Sequence, residues 1–152
     1  MNANTTNNID SADPTGSLPP ANAKGYCLEA SVTTGVAFGA SNTAYDITSL
    51  ILTPGTWIVT GGVVIAGTTL ASTSMLGWTS TTSGDSTTGM VLGDSANASS
   101  LVPTAAASTV LVLPPTRYSV STNTTVYLKT KAIYSLLGDG VYTGKIRAQC
   151  IA

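Results

Sequence analysis

The sequence predicts an all-β protein, a sandwich or barrel of about seven to ten short strands. Apolar and polar residues alternate with a period of two, as in Tyr26-Cys27-Leu28-Glu29, which is typical of a strand with one buried face. Turn signals such as Pro54-Gly55 separate these segments. No segment carries an apolar repeat at helical spacing, so helices are not expected.

The composition indicates a protein that buries part of its outer surface against partners. Hydrophobic residues make up 43% of the chain and charged residues only 9%, whereas a soluble domain usually has about 25% charged residues. The net charge of −1 predicts no binding to nucleic acid. No apolar run is long enough for a membrane span, so we expect no membrane insertion.

Residues 1–24 are predicted to form an extended N-terminal arm. They are polar, with scarcely any apolar residue, and they include Pro14, Pro19 and Pro20. Proline opposes both helix and regular sheet, and a polar segment of this kind cannot bury a core of its own. The arm is therefore either a disordered tail or a segment that becomes ordered only on the surface of a partner, and residues 25–152 form the folded domain.

Strands are predicted in order along residues 25–152. The predicted strands are residues 26–32, 45–52, 57–65, 75–78, 110–113, 117–120, 125–134 and 141–151. Pro114-Pro115 is predicted to close the fifth of these, and Gly138-Asp139-Gly140 to supply the tight turn between the last two. Residues 79–108 are predicted to be a long polar loop with one or two edge strands, which favours Greek-key or jelly-roll connections over a simple meander.

The two tryptophans are expected in different surroundings. Trp57 shares the apolar face of its strand with Val59, Val63 and Ile65, so we predict that it lies in the core. Trp78 stands at the edge of the polar loop, where its ring is either exposed for stacking on a sugar or a half-buried anchor of the loop.

Four segments resemble a module of bacteriophage virions. They are residues 52–61 (LTPGTWIVTG), 113–121 (LPPTRYSVS), 124–128 (TTVYL) and 144–148 (GKIRA). The module is found in tail-fibre and other exterior virion proteins, and the resemblance covers about residues 25–152. It implies a jelly-roll β-sandwich similar to the tumour-necrosis-factor and complement head domains, assembled as a tight homotrimer.

The resemblance implies a non-enzymatic virion structural protein on the outside of the particle, assembled in the host cytoplasm. Because the chain has no stalk, it favours a trimeric capsid-decoration or short head-fibre protein, which residues 1–24 dock onto a capsid or tail protein. The alternative is a tail-fibre adhesin that binds a glycan of the host surface. In that case the long loop faces the ligand, with Trp78, Asp85 and Asp94 as the candidate residues.

The resemblance also implies which residues form the trimer interface. The first and last strands are antiparallel neighbours in that fold, and the residues expected at the contact are Cys27, Glu29, Lys145, Arg147 and Tyr127.

Side-chain parity predicts that the two cysteines are free thiols. Cys27 shares its face with Glu29, away from the apolar set, whereas Cys150 shares its face with Ile146 and Ala148. We therefore expect Cys150 in the core and Cys27 near the trimer contact. A disulfide would require a bulge that reverses the parity of one strand.

The residues available for catalysis or metal binding are few. The chain has no histidine, which excludes any mechanism that needs an imidazole. Asp85 and Asp94 share the long loop, where paired carboxylates could serve a glycosidase or hold Ca²⁺. An ordinary solvated loop is the simpler interpretation, so we expect no enzymatic activity, no cofactor and no metal.

Overall fold

The computed structural model describes residues 24–67, 70–91, 96–99, 108–136 and 138–152. These residues form eight strands and no helix, which confirms the predicted all-β class. The strands are β1 Cys27–Ala37, β2 Ala44–Leu52, β3 Gly55–Ala66, β4 Ala71–Ser80, β5 Ala96–Ser99, β6 Ser108–Val120, β7 Thr124–Leu136 and β8 Val141–Cys150.

The strands form two antiparallel sheets that pack as a β-sandwich. Sheet A has the order β1-β8-β3-β6, and sheet B has the order β2-β7-β4-β5. The first and last strands are antiparallel neighbours, as expected, with Cys27 opposite Gln149 and Leu28 opposite Ala148.

The hydrophobic core lies between the two sheets. Trp57, Val59, Val63 and Ile65 of β3 are all 0% exposed, which confirms their predicted common face. They pack in one cluster with buried residues of sheet B, among them Leu128. Alternation along β3 therefore directs its apolar side chains into the space between the sheets.

Strand β6 runs through Pro114-Pro115 without a break, so the prediction that this pair closes a strand is wrong. β6 is an edge strand, where a missing backbone donor on the open side costs no ladder hydrogen bond. The register also shifts there, because Thr116 lies opposite Val59 while Leu113 lies opposite Gly61. The prolines thus occupy a bulge at a sheet edge.

The connections differ from the sequence prediction at the last turn and at the end of β4. A turn with Gly138 at φ 53° leads from β7 to β8, as predicted, but these strands lie in different sheets and form no hairpin. The region predicted as a long loop with one or two edge strands does contain an edge strand, β5, whereas β4 extends into it as far as Ser80. Residues 1–23, most of the predicted arm, lie outside the described residues.

Within the described ranges, no helix has the length and apolar character needed to cross a membrane.

Candidate interaction surfaces

The outer surface of sheet A, here called face A, is one of two surfaces that the sandwich presents. Along β8 the exposed Lys145, Arg147 and Gln149 alternate with the buried Ile146 and Ala148, which fixes the outward direction. The strand pairing arranges the outward residues in rows, which are Cys27-Gln149-Ile58-Arg117, Glu29-Arg147-Thr60, Ser31-Lys145-Gly62-Val112 and Thr143-Val64-Val110.

The half of face A that β1 and β8 form carries an ion-pair cluster. Glu29 Oε1 lies 2.6 Å from Lys145 Nζ, and Glu29 Oε2 accepts a hydrogen bond from Arg147 Nε at 2.5 Å. The hydrogen bond from Lys145 is the main cause of a lowered pKa of Glu29, and Arg147 lowers it further. One carboxylate thus pairs with two cations, so the cluster is held together within the chain and carries one excess positive charge.

The half that β3 and β6 form is mostly uncharged. Val110 and Val112 project from β6 with 60% and 67% of their surface exposed. On β3, Val64 lies opposite Val110 and Ile58 lies opposite Arg117, and both are half-buried. Apart from Arg117 in the first row, this half presents only apolar, hydroxyl and glycine residues among those that are described.

The structure brings together four of the five residues expected at the trimer contact. Cys27, Glu29, Lys145 and Arg147 are adjacent on face A. Tyr127 is the exception, because it lies on β7 of sheet B, where it alternates with core residues and so points away from the sandwich on the opposite side. The five residues are therefore divided between the two outer surfaces of the sandwich, since parity predicts a face but not the sheet to which a strand belongs.

Both cysteines are free thiols, as predicted from parity. Cys150 is 1% exposed and belongs to the core. Cys27 is partly buried on face A, and its Sγ donates to the carbonyl oxygen of Gly25 at 3.3 Å. Burial raises the pKa of the Cys27 thiol, and the positive charge of Arg147 partly opposes that effect.

A segment that follows β4, residues 81–91, lies over the outer surface of sheet B and is here called the strap. Lys129 on β7 anchors it, since its fully buried ammonium forms an ion pair with Asp46 and donates to the carbonyl oxygen of Gly84 at 2.7 Å. Asp46 Oδ2 in turn accepts from the Gly84 amide at 2.8 Å. Ser80 Oγ donates to the Thr88 carbonyl oxygen at 2.7 Å.

The position of Trp78 corrects the expectation that it faces a ligand. Trp78 is 0% exposed and packs under the strap in a small cluster with Ala44, Ala96 and Met90. The Lys129 ammonium lies 5.9 Å from the centre of its ring. The polar residues after Trp78 suggested that it stands at the edge of a loop. Residues 79 and 80 instead belong to the end of β4, and the residues that follow belong to the strap that covers the ring.

A pattern in the sequence did point to this burial. In residues 75–78 (MLGW), the residues of both strand faces are apolar. A strand that is covered on both faces typically has such a continuous apolar run rather than an alternating pattern.

Of the two loop carboxylates, only Asp85 lies among the described residues. Asp85 Oδ1 accepts from the Ala44 amide at 2.8 Å, so it ties the strap to β2. Asp94 lies outside the described residues. In the part of the chain that the structure covers, no three histidine, cysteine, aspartate or glutamate side chains are grouped as a metal site would require.

Comparison with protein-family models, with curated proteins and with solved structures finds no match to this chain. The architecture defines the class as an all-β protein of two packed antiparallel sheets, and its function has to be argued from its surfaces.

Proposed function

We propose that this chain is a non-enzymatic structural protein on the exterior of a bacteriophage particle, a trimeric jelly-roll module that decorates the capsid or forms a short head fibre. The observation that carries the proposal is the strand order, 1-8-3-6 in one sheet and 2-7-4-5 in the other. Every connection crosses between the sheets except the one from β4 to β5, a pattern that favours a jelly roll.

Two features favour assembly as a homotrimer. The β3–β6 half of face A is mostly uncharged, and the cores of obligate interfaces are depleted in charge. The chain as a whole has only 9% charged residues, so it has little charge with which to keep a monomer soluble. The trimer also suits a virion surface, where several weak contacts act together.

Residues 1–24 are proposed to dock the trimer onto a capsid or tail protein. The polar, proline-containing composition of this segment supports that role, since such a segment folds only against a partner. The alternative role as a glycan-binding adhesin loses one candidate platform, because the Trp78 ring is buried beneath the strap.

In solution the protein is expected to have three times its chain mass of 15.3 kDa, because the proposed fold buries part of one sheet around a three-fold axis. Light scattering coupled to size-exclusion chromatography at micromolar concentration measures this directly. A stable particle of one chain mass would refute the trimer.

Deleting residues 1–23 is expected to leave a folded trimer that no longer joins phage particles, because all the strands and core residues that the structure describes lie in later residues. Circular dichroism and light scattering test folding and assembly, and co-sedimentation with particles that lack the protein tests docking. The full-length chain is the control. Full occupancy of particles by the shortened chain would show that the anchor lies elsewhere.

A further inference from the structure

Gly62 lies at the centre of face A, and no contact within the described part of the chain explains why this position is a glycine. Glycine in a strand interior weakens the strand. Gly144 is explained by packing, since an added Cβ would lie 2.8 Å from Leu128 Cδ2. A Cβ at Gly62 would meet only the carbonyl oxygen of Leu111, at an ordinary contact distance of 3.8 Å.

The absence of a side chain at Gly62 leaves a depression in face A, here called the dent, beside valine side chains of β6 that project from the face. Gly62 lies directly opposite Val112 of β6 on one side and Lys145 of β8 on the other. Val112 is 67% exposed, more than any other large hydrophobic residue of the described chain, and Val110 on the same strand is 60% exposed. A glycine inside a strand often marks the close approach of another backbone or ligand.

We infer that a second copy of this chain packs on face A with its closest approach at Gly62, so that a β6 valine of one copy fills the dent of the next. The inference rests on the proposed homotrimer and names its contact. The centre of that contact is the mostly uncharged β3–β6 half of the face, and Lys145 of the ion-pair cluster borders it.

Three observations favour a second copy over another partner. Dent and projection lie side by side on the same face, so each copy can offer a β6 valine to one neighbour and its dent to the other, which is the heterologous contact that a cyclic trimer repeats. Glu29 forms ion pairs with both Lys145 and Arg147, so those charges are held on the β1–β8 half, and apart from Arg117 the β3–β6 half has no charge that would call for a partner of opposite charge. Pro114-Pro115 on edge strand β6 oppose the addition of a foreign strand, which leaves the face as the route of association.

The size of the face is sufficient for a specific contact. Four strands about 4.8 Å apart and about ten residues long give a face of about 600 Å² if the sheet is treated as a flat surface. A standard interface buries about 800 Å² on each partner. The whole of face A is of that order, so the contact would extend from the dent across its four strands.

Gly62→Val tests the inference, because valine favours a strand yet fills the dent. We expect the variant to keep the far-ultraviolet circular dichroism of the wild type while its mass by light scattering falls from three chains to one. A trimer of unchanged stability on dilution would overturn the inference and leave the proposed trimer standing. A wild-type protein of one chain mass would refute the trimer itself, so the two failures are distinguishable.

Val112→Lys provides a second test that leaves the β3 backbone unchanged. Its matched control is Ile51→Lys, since Ile51 is 61% exposed but lies on β2 of sheet B. Val112→Lys should yield monomers and Ile51→Lys trimers. The reverse result would place the contact on sheet B and overturn the inference. Trimers of Gly62→Val that no longer join phage particles would assign face A to a virion protein, which also overturns it.

Discussion

Replacing Trp57 by alanine is expected to lower the free energy of unfolding by about 3–5 kcal/mol. Trp57 is 0% exposed between the sheets, where its ring meets Tyr26 edge-on at 6.3 Å and its Nε1 donates to the Thr53 carbonyl oxygen at 2.9 Å. The loss is a large share of the ~5–15 kcal/mol that stabilises a typical domain, so trimer assembly should weaken or fail with it. Thermal and urea unfolding of the two proteins measure the difference.

The substitution of each tryptophan by phenylalanine provides a matched control. Trp57→Phe keeps most of the ring but loses the hydrogen bond to Thr53, so we expect a cost of about 1 kcal/mol from that bond. The Trp78 Nε1 is buried without a hydrogen-bond partner among the described residues, so Trp78→Phe removes no hydrogen bond and should cost less. A Trp57→Ala protein that melts like the wild type would show that the inward assignment of β3 is wrong.

Asp46→Ala is expected to cost about 3 kcal/mol, because it leaves the fully buried Lys129 ammonium without its counter-ion. The value is at the lower end of the range for buried pairs since the Asp46 side chain is itself 28% exposed. The Gly84 amide loses an acceptor at the same time, so the strap should loosen. Urea unfolding gives the free energy, and hydrogen exchange of the strap amides reports the loosening.

The double variant Asp46→Ala/Lys129→Met separates the two effects. Methionine fills a similar volume without a charge, and replacing a buried ion pair by apolar residues is often neutral. The double variant should therefore recover much of the stability lost in Asp46→Ala alone, while the loosened strap remains. If Asp46→Ala by itself had no effect on unfolding, the burial of Lys129 beneath the strap would be refuted.

Local patterns in the sequence determined the class of fold and the inward face of several strands. The alternation around Trp57 predicts its burial, and the opposite parities of Cys27 and Cys150 predict two free thiols, because successive side chains of a strand point to opposite faces whatever the strand pairs with. These properties depend only on neighbours along the chain.

Other properties were decided only by the tertiary structure. Pro114-Pro115 fit inside β6 because that strand has an open edge, and Trp78 is buried because the strap covers its sheet. Tyr127 lies apart from Cys27 because β7 and β1 belong to different sheets. Each outcome depends on which segment lies beside or above another after folding. Period-two alternation distinguishes inward from outward side chains. It does not indicate to which sheet a strand belongs or whether another segment covers that sheet.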